Sequence, residues 1–123
     1  MTIQLAGMVE VGMARYYVCE EDDVPLGKVK AYKAGGRTVA IFHLHDGFYS
    51  TQNDCSHLFA PLHKGTIIEG SQIECPYHQT RFDIRTGAVV CWADHPLLDW
   101  IRAKKALKTY PVTVEAGQVF VEL

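Results

Sequence analysis

Two short segments combine thiols with imidazoles. Cys55-Ser56-His57 is a C-x-H pair and Cys75-Pro76-Tyr77-His78 a C-x-x-H pair, with seventeen residues between His57 and Cys75. Thiolate and imidazole suit soft and borderline transition metals. The chain has six histidines in 123 positions. At that frequency both patterns are expected together about 0.04 times by chance, so the quartet is far stronger than a lone motif match. Two thiolates and two imidazoles can hold zinc tetrahedrally, but structural zinc pairs group like ligands, as C-x₂₋₄-C and H-x₃₋₅-H. Here each segment offers one of each.

The remaining Cys and His residues have plainer readings. Cys19 and Cys91 read as small buried hydrophobes. His43 and His45 lie two apart on a predicted strand and so share a face; beside Asp46 they read as surface histidines rather than a metal site. His63 and His95 have no partner visible in the sequence.

The elements that must position the quartet are short strands. Arg15–Cys19, 28–34, 37–44 and 47–52 are rich in Val, Tyr, Ile, Phe and Thr. Gly35-Gly36 and Asp46-Gly47 separate neighbouring runs as hairpin signals. Further strands are expected at 66–68, 72–75, 81–84 and 88–90, then at 108–114 and 118–122, joined across Ala116-Gly117. About ten short strands imply an all-β antiparallel sandwich or partly open barrel. One stretch departs from this pattern. His95–Leu107 has Pro96 in its first turn, Leu97, Leu98 and Ile101 at helical spacing, and lysines toward its end, which predicts one short helix over 95–107.

Composition narrows the class. With 48% hydrophobic and 21% charged residues and a formal net charge of −2, the chain has an ordinary globular make-up and no basic footprint for nucleic acid. No apolar run approaches the eighteen or so residues of a membrane span. The N-terminal residues 1–14 contain no Lys or Arg, so neither a secretory n-region nor a twin-arginine signal is visible. A cytoplasmic protein of one domain, residues 1–123, is expected.

The mixed ligand pairs resemble the Rieske proteins. Asp54-Cys55-Ser56-His57 followed by Ala60-Pro61-Leu62 is similar to the first cluster loop of Rieske ferredoxins. Ile73-Glu74-Cys75-Pro76-Tyr77-His78, then Arg81-Phe82-Asp83 and Thr86-Gly87, is similar to the second loop and its exit. Thr109-Tyr110-Pro111-Val112 resembles the returning strand, and 22–27 the early acidic turn.

That resemblance implies one [2Fe–2S] cluster, with Cys55 and Cys75 on one iron and His57 and His78 on the other. It implies a cluster-binding lobe over about 53–84, set in a base formed by 1–52 and 85–123. Two neutral imidazoles in place of two thiolates leave the cluster less negative, which eases reduction. The disulfide cysteines of the respiratory branch correspond here to Ala60 and Tyr77. The segment 91–96 departs from the family's third loop, and Trp92 is expected to cover the cluster. Leu58, Phe59, Pro61, Tyr77 and Gln79 flank the ligands at the expected docking tip.

The implied role is a one-electron carrier that turns over no substrate. It would take electrons from a flavin-containing ferredoxin reductase and pass them to a terminal Rieske oxygenase that hydroxylates aromatic rings. A monomer is the simplest expectation. The alternatives are a nitrite-reductase small subunit and a zinc-stabilised binding module without redox role.

Overall fold

A computed structural model describes residues 14–55, 60–76, 80–91 and 106–123. Among them, eleven strands form three antiparallel sheets. The first sheet has the order β1–β11–β10, from Arg15–Glu20, Gln118–Glu122 and Val112–Glu115. The second is β2–β3–β4–β9, from Val29–Ala34, Arg37–Leu44, Gly47–Gln52 and Thr109–Tyr110. The third is β5–β6–β7–β8, from Thr66–Ile68, Gln72–Glu74, Arg81–Asp83 and Val89–Cys91.

The strand β3 explains how these sheets stack. Side chains alternate between faces along a strand, and Val39, Ala40, Ile41 and Phe42 are all fully buried. Val39 and Ile41 join Cys19, Val24, Ala34, Val119 and Val121 in one core. Ala40, Phe42 and Leu44 join Leu62, Ile73, Phe82, Ile84 and Leu107 in the other. The second sheet is therefore the middle layer, with the first sheet on one face and the third on the other. An uninterrupted apolar run is what a strand covered on both faces requires.

Turn chemistry sets the registers. The pairing Ala34↔Arg37 leaves Gly35-Gly36 as a two-residue loop, with φ of 55° and 80°, the left-handed pair that a tight hairpin needs. At Gly35 a Cβ would lie 2.8 Å from the Tyr16 ring, which would have to shift. The turn Ala116-Gly117 has the same form, but Ala116 holds φ 52° against its Cβ.

The expected strand over 108–114 is two strands. Pro111 lacks an N–H and ends β9 in the second sheet; β10 then starts at Val112 in the first. Glu122 N–H donates to the Pro111 carbonyl at 3.0 Å across this crossover. The predicted helix over 95–107 lies outside the described residues except at its end, where Ala106 and Leu107 are not helical. Among the described residues, two 3₁₀ turns occur, at Glu21–Asp23 and Leu62–Lys64. No helix among the described residues is long and apolar enough to cross a membrane.

Candidate metal centre

Cys55 and Cys75 close the bases of two loops of equal length. Cys55 N–H donates to the Ala60 carbonyl at 2.8 Å, and Cys75 N–H donates to the Thr80 carbonyl at 2.8 Å. Both cysteines are buried, at 0% and 1% exposure, and both belong to the core under the second sheet. His57 and His78 lie outside the described residues, as do Leu58, Phe59, Tyr77, Gln79 and Trp92.

The second loop is the tip of a hairpin. β6 and β7 pair Gln72↔Asp83, Ile73↔Phe82 and Glu74↔Arg81, and the Cys75–Thr80 hydrogen bond is the next rung. Arg81 Nε donates to Glu74 Oε2 at 3.0 Å, one residue before Cys75. Thr80 and Phe82 are fully buried.

The first loop closes with less ladder. Among the described residues its ladder is the isolated bridge Asp54↔Pro61, made by the bonds from Cys55 N–H to Ala60 and from Leu62 N–H to Asn53. Side chains supply the rest. Gln52 Nε2 donates to the Asp54 carbonyl at 2.6 Å, and Gln52 Oε1 accepts Lys108 N–H at 2.9 Å. Asn53 accepts Leu62 N–H on its backbone carbonyl at 2.7 Å and His63 N–H on Oδ1 at 3.1 Å. His63 thus has a partner that the sequence did not reveal.

The two loops meet at Gly65. It follows the 3₁₀ turn that leaves the first loop, and a Cβ there would sit 2.1 Å from the Glu74 carbonyl oxygen. Gly87 makes a similar approach to the returning chain: a Cβ would meet the Leu107 carbonyl at 2.2 Å, and Leu107 N–H donates to the Gly87 carbonyl at 2.8 Å. The lobe's own sheet runs on to Cys91, past the expected limit near residue 84. Arg85 fastens the lobe to the base through two hydrogen bonds to Asp46, at 2.7 and 3.1 Å, with its guanidinium over the Tyr49 ring. That guanidinium holds the Asp46 carboxyl below its ordinary range.

The other sequence readings divide. Cys19 is buried as expected; burial pushes its thiol up, with Tyr32 as its hydrogen-bond partner, so it stays protonated and is a poor metal ligand. Cys91 is exposed, contrary to the expected burial, because it sits on the lobe's last strand. His43 is half-buried: it stacks on Phe48 with centroids 4.0 Å apart and donates from Nδ1 to the Val24 carbonyl at 2.8 Å. His45 is exposed in the turn after β3.

Among the described residues no group of three or more His, Cys, Asp or Glu could hold a metal ion. What the fold brings together is two buried thiols at matching loop bases, each with a histidine two or three residues on in sequence. Sulfur donors inside a dry core, with imidazole donors on the same loops, fit an iron–sulfur group with mixed ligation. A three-sheet β protein built around two such loops is a small Rieske-type protein.

The comparisons agree. The Rieske [2Fe–2S] domain family matches residues 14–111. The ferredoxin component of naphthalene 1,2-dioxygenase/salicylate 5-hydroxylase systems from Ralstonia sp is 38% identical over 102 residues, covering 83% of this chain and 88% of that one. The solved ferredoxin of carbazole 1,9a-dioxygenase from Nocardioides aromaticivorans IC177 superposes with a TM-score of 0.74 at 30% identity, over 87% of this chain and 95% of that chain. A structure of the complex of reduced oxygenase and oxidised ferredoxin in carbazole 1,9a-dioxygenase matches with a TM-score of 0.71 at 29% identity, over 87% and 91% of the two chains. The chain belongs to the Rieske [2Fe–2S] domain family, among its ferredoxins. Its cofactor is a Rieske-type [2Fe–2S] cluster, and its work is to carry electrons rather than to catalyse.

Proposed function

We propose that Cys55 and Cys75 bind one iron of the cluster and His57 and His78 the other. In this reading the protein takes single electrons from a flavin-containing reductase and delivers them to a terminal ring-hydroxylating oxygenase. The observation that carries the reading is the equivalence of the two cysteines: both are buried in one core, each at the base of a loop closed by the same backbone hydrogen bond. The bound cluster supplies a site for one electron at a time. The chain's own residues keep the two sulfurs out of water and fix the loop bases.

The oxygenase partner is favoured by the solved relative in complex with its own oxygenase. A reducing cytoplasm suits loops that carry Ala60 and Tyr77 in place of the respiratory disulfide cysteines. Reconstitution of the purified red-brown protein with a flavin reductase and a terminal oxygenase tests the reading. Substrate hydroxylation should depend on this chain and should stop with Cys55→Ser. A colourless protein that contains zinc, or a coloured one that no flavin reductase reduces, would overturn it.

A further inference from the structure

Asn53 is a buried amide, 5% exposed, two residues before Cys55. Its Oδ1 lies 3.1 Å from the backbone N–H of His63. A backbone N–H can only donate, so that contact fixes which end of the amide is oxygen. The NH₂ end then lies 3.0 Å from His63 Nδ1. Asn53 Oδ1 lies 3.3 Å from the same Nδ1, so the amide faces the ring with both of its ends. One side chain therefore grips both the backbone and the ring of the residue where the first loop rejoins the fold.

This grip stands where the ladder is weakest. The bridge Asp54↔Pro61 is isolated, and the Asn53 backbone carbonyl takes Leu62 N–H as its last rung. A buried neutral hydrogen bond adds only modest net stability, and apolar groups of the same shape can do nearly as well. What the amide adds is direction. We infer that Asn53 is a positioning residue for the electron-transfer centre: by clasping His63 it sets the geometry of the loop's neck, residues 53–55 and 60–63, and with it the setting of Cys55. This inference rests on the ligand assignment proposed above.

Three variants test it. Asn53→Leu keeps the volume and removes both hydrogen bonds. Asn53→Asp keeps the acceptor for His63 N–H. Val119→Ala, in the core on the far side of the second sheet, is a control that weakens the fold at a distance. The readings are the g-values of the reduced cluster, its midpoint potential, the melting temperature and hydrogen exchange over residues 60–65.

Asn53→Leu should speed exchange at the His63 amide roughly tenfold, alter the g-values and displace the midpoint. Asn53→Asp should restore the g-values toward those of the native protein. Val119→Ala should lower the melting temperature and leave g-values and midpoint unchanged. If Asn53→Leu does not fold, His63→Ala, which keeps the backbone grip and loses the ring, should give a smaller change of g-values. Asn53→Leu behaving like Val119→Ala, or His63→Ala leaving the g-values unmoved, overturns the positioning role. A native protein without a Rieske signal overturns the functional reading instead, and the exchange rates still report whether the clasp exists.

Discussion

The two cluster loops begin alike and are held differently. Each closes with a hydrogen bond from its cysteine N–H to the residue five places on. Behind Cys75 the closure continues as a regular hairpin, three paired residues deep. Behind Cys55 the ladder stops at the bond from Leu62 N–H to the Asn53 carbonyl, and Gln52, Asn53 and His63 hold the neck with their side chains. A backbone ladder tolerates many sequences, because every residue but proline brings the same donor and acceptor. A side-chain clasp depends on particular residues. The first loop should therefore be the more sensitive to substitution near its base, and the second the more tolerant.

The largest expected effect treats the loops as equals. Cys55→Ser and Cys75→Ser should each abolish normal cluster assembly, while Cys19→Ser and Cys91→Ser leave iron content and the visible spectrum intact. Retention of the native spectrum in Cys55→Ser alone would break the equivalence.

Gly65 joins the two necks, so Gly65→Ala should disturb both. The new methyl would press on the Glu74 carbonyl, and overpacking of this kind costs about 1–3 kcal/mol. Urea unfolding of the variant checks this, and an unchanged midpoint would show that the two loops are not in register contact there.

The second hairpin also bears on the potential. Hydrogen bonds to the sulfurs raise such potentials; of the two buried side chains at this hairpin, Thr80 has a hydroxyl to give and Phe82 has none. We expect a midpoint in the lower part of the family range of about −150 to +300 mV. Film voltammetry near neutral pH giving about +200 mV or more would refute it.

A smaller effect sharpens the contrast between necks. Arg81→Ala removes the ion pair with Glu74, whose side chains are 39% and 20% exposed. With the ladder behind it intact, the loss should be below about 1 kcal/mol and should leave the g-values unmoved, unlike Asn53→Leu.

The smallest concerns the clamp between lobe and base. Arg85 depresses the Asp46 carboxyl, so the pair's stabilisation is present above the ordinary carboxylate value, about 3.9, and is lost as pH falls through the lower folded-state value. The difference in melting temperature between the native protein and Asp46→Asn should shrink on acidification below that range. A constant difference would mean that the pair is not coupled to folding.

Much of this architecture was legible in the sequence, for local reasons. Gly35-Gly36 states its turn because two adjacent left-handed residues leave little alternative, and β-branched and aromatic runs mark most strands closely. The ligand segments stand out because their donors are near neighbours in the chain. The Asn53–His63 clasp was not legible, since it spans a loop and neither residue type marks the other. The break at Pro111 had its signal in the missing N–H but lay inside a run that otherwise reads as one strand. The exposure of Cys91 follows from its place on the lobe's last strand, which composition does not reveal. The stacking of three sheets was hinted at by Val39–Phe42, a run too apolar for a strand with one wet face.

The order of strands in space has a consequence for how the molecule is made. β11, the last strand in sequence, is the central strand of its sheet, and β1 pairs with it from Arg15↔Glu122 onward. During synthesis β1 leaves the ribosome first and must wait for nearly the whole chain before its partner exists. The lobe sheet is drawn from Thr66–Cys91 alone, so its contacts are local and can form early. The loop of Cys75 can thus be shaped while the first sheet is still open, and that sheet closes only when the final residues arrive.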